Sequence, residues 1–190
     1  DTLDGGSGDD TADGGAGDDS FHLSTGFGNG SITGGETGET AGDTLDLTGL
    51  SGVVSVNLAA ANPETGSVSQ GGNTTTFTEI ETIQLGAATE TLVLADGSGA
   101  DVVRGFTAPV QNPDGSYSGV DRLNVAALHD GEGNPVNALD VVVGNDGAGN
   151  AVLTFPNGET LTLIGVAPAA VTDPAALVAM GIPLGQDYIV

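Results

Sequence analysis

The chain contains no cysteine, no lysine and no tryptophan. Without cysteine it has no disulfide scaffold, no thiolate zinc site and no thiol nucleophile. Without lysine it cannot build a phosphate-cradling P-loop. Its only cationic side chains, histidine aside, are Arg104 and Arg122, set against 26 Asp and Glu for a formal net charge of -24. Almost nothing is left to pair with a phosphate, so neither nucleic acid nor an anionic membrane surface is an expected partner. No apolar run approaches the ~20 residues that cross a bilayer, so membrane insertion is not expected. No signal peptide opens the chain.

Motifs of catalysis are missing too. The two histidines, His22 and His129, have no second ligand at metal spacing and read as surface residues. No Gly-x-Ser-x-Gly elbow surrounds any serine. Carboxylate pairs of the glycosidase kind would lack aromatic rings for a sugar to stack on, because aromatics make up only 4% of the chain. The expectation is a protein that is not an enzyme.

What is abundant is glycine, at 33 residues, beside the acids. Two nonapeptides stand back to back: Gly5-Gly6-Ser7-Gly8-Asp9-Asp10-Thr11-Ala12-Asp13 and Gly14-Gly15-Ala16-Gly17-Asp18-Asp19-Ser20-Phe21-His22. Asp1-Thr2-Leu3-Asp4 reads as the tail of a preceding copy, which makes the chain an expected fragment with any targeting signal outside it. A fixed short period of this kind is the mark of a repeat architecture. Glycine permits backbone conformations that other residues resist. Aspartate offers a hard, charged oxygen to a hard cation.

These repeats closely resemble the RTX family, the glycine- and aspartate-rich repeats of type I-secreted bacterial proteins. The resemblance implies an all-β fold, a parallel β-roll or β-solenoid in which six residues turn and three form a strand. It also implies Ca²⁺ held between stacked turns. Asp10 would bind with the carbonyls of Gly5, Gly6, Ser7 and Gly8, and Asp19 with those of Gly14, Gly15, Ala16 and Gly17. Asp1 occupies the aspartate position of the truncated copy. Asp9 and Asp18, at the fifth position, are expected to be solvated.

The repeat then loosens. Gly26 to Ile32 keeps glycines but carries Gly30 where Asp belongs. Gly34 to Leu47 reads as a repeat with an enlarged turn, adding Gly34, Glu36 and Asp43 to the expected ligands. Val54 to Leu58 alternates as a half-buried strand, and residues 60–76 read as a loop. Phe77 to Ile83 resembles an RTX spacer. Glu90 and Asp101 follow in the aspartate position of turns that have lost glycines. The acidic loop Asp130 to Asn134 lacks the later Glu and the flanking helices of an EF-hand, and reads as a plain loop.

Val120 to Val125 resembles the closing strand of RTX regions. Strands are expected at 140–143, 151–155 and 159–164, and a short helix follows, capped by Asp173, with Pro174 in its first turn and Gly181 after it. The expected division is an RTX roll over 1–50, a degenerate continuation over 51–105 and a β-rich C-terminal cap with one helix over 106–190. The run also resembles regions that accompany Hint domains in marine bacteria. Together these imply a secreted or cell-surface segment that folds on binding calcium ions. Alternatives are an adhesin or glycan-binding module, or a self-assembling extracellular subunit with a homo-oligomeric or cell-surface partner.

Overall fold

The computed structural model describes residues 1–185 and is mostly β. Residues 186–190, part of the expected cap, lie outside the described residues. The first strands are β1 (Thr2–Asp4), β2 (Thr11–Asp13), β3 (Ser20–Ser24), β4 (Ser31–Thr33), β5 (Thr44–Gly49) and β6 (Val53–Asn57). The chain crosses between two sheets at each connection, so β1, β3 and β5 pair in parallel in one sheet, while β2 and β4 pair in parallel in the other. Short triplets can do this because one inward apolar residue per strand suffices. Leu3, Phe21 and Leu45 lie in register across the first sheet, and Phe21 and Leu45 are buried.

Residues 60–76 are not a loop. They contain most of an antiparallel hairpin, β7 (Gly66–Gln70) and β8 (Asn73–Thr78), turned at Gly71-Gly72. Serine, threonine and asparagine masked it, because only Val68, Thr75 and Phe77 are buried along its length. Threonine is β-branched and suits a strand as well as valine does. The hairpin sits between β4 and β6 in the second sheet.

The winding then resumes with β9 (Thr82–Gln84), β10 (Thr89–Ala95) and β11 (Ala100–Arg104). Beyond a two-stranded ribbon, β12 (Val110–Gln111) and β13 (Tyr117–Ser118), comes β14 (Arg122–Ala127), which pairs in parallel with β10 as the edge of the second sheet. The last strands are β15 (Val142–Asn145), β16 (Ala151–Thr154) and β17 (Thr160–Ile164). They form an antiparallel meander that joins the first sheet where β17 lies parallel to β11. The helix α1 (Pro174–Ala179) is capped as its sequence dictates, with Asp173 Oδ1 accepting from the Ala175 N–H at 2.8 Å. No helix among the described residues is long and apolar enough to cross a membrane.

Candidate metal centre

Register builds a column of acids at the turns that enter the first sheet. Thr2, Ser20, Thr44 and Thr82 are aligned across β1, β3, β5 and β9. The residues just before them are Asp1, Asp19, Asp43 and Glu81. Val103 aligns with Ile83, and carrying that register back two positions sets Asp101 beside Glu81. Neighbouring strands stand ~4.8 Å apart. At that spacing two full charges repel by roughly 1 kcal/mol in water and roughly 3–4 at an effective dielectric of 20.

Three of these acids are buried. Asp43 is 0% exposed, and Asp19 and Asp101 are each 4% exposed. Asp43 Oδ1 accepts from the Asp19 N–H at 2.7 Å, and Glu81 Oε2 accepts from the Asp43 N–H. The N-terminal ammonium pairs with Asp19 Oδ1. Yet Asp19 Oδ2, Asp43 Oδ2 and both oxygens of Asp101 are shielded from solvent and have no hydrogen-bond partner. An unpaired buried carboxylate oxygen is costly unless a proton or a cation meets it. Among the described residues neither arginine makes an ion pair with any of them.

The glycines explain how carbonyls reach the same places. A Cβ on Gly14 would stand 2.5 Å from Asp19 Oδ2 and 2.7 Å from the Gly34 carbonyl. One layer on, a Cβ on Gly34 would stand 1.8 Å from the Glu79 carbonyl and 2.1 Å from Asp43 Oδ2. The orphan oxygens of Asp19 and Asp43 thus each share a glycine-lined gap with a carbonyl of the next turn. Glu79 makes this approach at a φ of 58°, the one non-glycine in the left-handed region among the described residues. Gly34→Ala is therefore expected to push Asp43 and Glu79 apart and to lower the melting point of the fold, read by circular dichroism. A control at Gly131, where a Cβ meets nothing, should leave it unchanged.

The other expected ligands divide. Gly15, Ala16 and Gly17 lie in the turn with Asp19, where Gly15 and Gly17 donate to the Gly34 and Thr37 carbonyls. Glu36 is exposed on the next turn. Gly5, Gly6, Ser7, Gly8 and Asp10 lie on the opposite flank, and all are exposed. The Gly28 N–H donates to the Gly8 carbonyl there, and Gly30 follows where an acid would stack on Asp10. Asp1 is exposed as well.

Asp9 and Asp18 are exposed, as expected of the fifth position, and each also accepts from backbone. Asp18 Oδ1 accepts from the N–H groups of Thr40, Ala41 and Gly42, which hold its carboxyl below the usual range. Asp9 Oδ1 accepts from the Asn29 N–H at 2.7 Å. Both fifth-position aspartates pin the backbone of the following turn.

The second flank carries its own acids. Glu90 aligns with Val54 in β6. Asp121, just before β14, follows it in register, since Arg122 aligns with Thr91. Both are 0% exposed. Asp121 accepts from the Glu90 and Thr107 N–H groups, while Glu90 Oε2 has no partner. Burial first, then the adjacent Asp121, pushes Glu90 up to about 7. Burial alone pushes Asp101 up to about 7. In the turn before β11, Ser98 Oγ is also shielded and unpartnered, as is Glu159 Oε2.

Sequence spacing alone passed over Glu81, Asp121 and Glu159. A signal was present: an acid, any residue, then an apolar residue recurs as Asp19-Ser20-Phe21, Asp43-Thr44-Leu45, Glu81-Thr82-Ile83 and Asp121-Arg122-Leu123. The loop Asp130 to Asn134 is self-contained, because Asp130 accepts from Glu132 and Asn134 within it. His22 and His129 pair with Asp46 and Asp96. No protein-family model matches the chain, and no curated protein matches it.

Proposed function

We propose that this chain is a calcium-binding RTX-type β-roll segment of a secreted bacterial protein, a structural module with no catalytic residue that folds when it binds Ca²⁺. The observation that carries the reading is the repeated pairing of a buried, unpartnered carboxylate oxygen with a carbonyl of the next turn, at Asp19 with Gly34 and at Asp43 with Glu79. Hard oxygen donors of this kind suit Ca²⁺, which takes six to eight of them. The alternating course of β1 to β6 between two mixed sheets, with β1, β3 and β5 parallel in one and β2 and β4 parallel in the other, supports the β-roll.

The mechanism follows from charge. Closing the roll stacks carboxylates that the two arginines cannot neutralise. A bound cation removes the repulsion and ties neighbouring turns, so binding energy becomes folding energy. Extracellular calcium modules bind at ~10⁻⁴ to 10⁻³ M. Such a chain stays open where calcium is scarce and closes after export.

Far-ultraviolet circular dichroism tests this. The chain in chelator at neutral pH should lack β-structure and gain it in millimolar calcium. Superimposable spectra in the two conditions would sink the proposal.

A further inference from the structure

The connection between β6 and β7, residues 58–65, belongs to no repeat. It passes over the turns that enter the first sheet. The Glu64 carbonyl accepts from the Ile80 N–H at 3.1 Å. The Pro63 ring lies 3.3 Å from where a Gly99 Cβ would stand. The connection is thus strapped across two successive turns.

Carboxylates converge beneath it. One oxygen each from Glu36, Glu64 and Glu81 lies within 4.8 Å of the others. Two ligands on opposite sides of a Ca²⁺ stand about 4.8 Å apart, twice a ~2.4 Å bond. A second, independent observation points into the same place. Asp43 is wholly buried, its N–H donates to Glu81, and its Oδ2 has no partner. Glu39 Oε1 is also shielded and unpartnered. Three carboxylates therefore converge, with Asp43 joined to Glu81 through its N–H, and no basic side chain is paired to them among the described residues.

We propose that Glu36, Glu64 and Glu81, backed by Asp43 and the Glu79 carbonyl, hold a Ca²⁺ ion that fastens the 58–65 strap to the turns. This rests on the calcium reading above but assigns a ligand, Glu64, that no repeat supplies. The ion has a mechanical role: it joins an inserted segment to the stacked turns, so that the strap closes with the same cation that closes the roll.

The test compares the full chain with Glu64→Gln and Glu36→Gln, using calcium chloride in calorimetry and hydrogen exchange at the Ile80 amide. Glu64 is partly solvent-accessible and Glu36 exposed, so neither change should unfold the chain. Glu132→Gln, in an exposed loop, is the control. Each site variant is expected to bind one ion fewer than the parent. In calcium its Ile80 amide should exchange at least about 10-fold faster, while the β3 and β5 amides stay protected. If the variants keep the parental stoichiometry, the strap site is wrong and the wider calcium reading stands. Loss of an ion with unchanged Ile80 protection overturns the fastening role. A parent chain that binds no calcium overturns both.

Discussion

Asp43→Asn is expected to weaken the chain in calcium and strengthen it without calcium. Asparagine keeps an oxygen to accept from the Asp19 N–H. Its amide nitrogen takes the place of Oδ2 beside the Glu79 carbonyl and can donate to it. In calcium-free buffer the variant therefore exchanges a buried, unpaired charge for a satisfied neutral group. Removing such a charge stabilises by about 1–3 kcal/mol. On the proposed calcium reading, the same change deletes a charged ligand and adds a donor where the ion would sit. The calcium midpoint of folding should rise at least about 10-fold, or ~1.4 kcal/mol. Urea unfolding of both proteins, with and without calcium, reads the two effects. A variant destabilised equally in both conditions would mean that Asp43 is only a turn-forming aspartate.

The second large effect is on pH. Glu90 and Asp101 are pushed up to about 7 in the folded chain, from ordinary values of 4.5 and 3.8. Between those limits the folded chain binds more protons than the unfolded one, so stability falls as the pH rises. Each group contributes on the order of 3 kcal/mol across that window, present below about pH 4 and lost by about pH 7. Calcium-stripped protein should thus gain β-structure on acidification to pH 4 and lose it toward neutrality. Calcium competes with those protons and gains affinity as they leave, so in saturating calcium the slope should reverse. Circular dichroism melts at pH 4, 5, 6 and 7 in both conditions decide it. A metal-free melting point that climbs from pH 4 to pH 7 would contradict the assignment of these buried acids.

The first three strands were legible because glycine spacing, acid position and apolar position all agree there. Leu3, Phe21 and Leu45 mark one face from the sequence alone, and register confirms their alignment. Legibility failed where side-chain chemistry and strand geometry part company. The β7–β8 hairpin is written in serine and threonine, so it gives no hydrophobic period, although its two strands pair along their full length. Glu81 was hidden because its turn has shrunk to residues 79–81 and kept no glycine. Only the alignment of Thr82 with Thr44 shows that Glu81 continues the column of Asp19 and Asp43. Glu64 could not be found from spacing at all, because the strap that carries it lies outside the repeat. The backbone contacts of the exposed Asp9 and Asp18 were hidden for a related reason. Their partners are backbone N–H groups about twenty residues away, and which turn stacks on which is settled only when the two sheets form.

The most direct measurement is an isothermal calcium titration run beside far-ultraviolet circular dichroism on the intact chain at pH 7.5. Heat and β-structure should appear together, between sub-millimolar and millimolar calcium, with more than one ion bound per chain. A chain already folded without calcium, and giving no heat when it is added, would contradict the account and leave the stacked acids to be explained by protons alone.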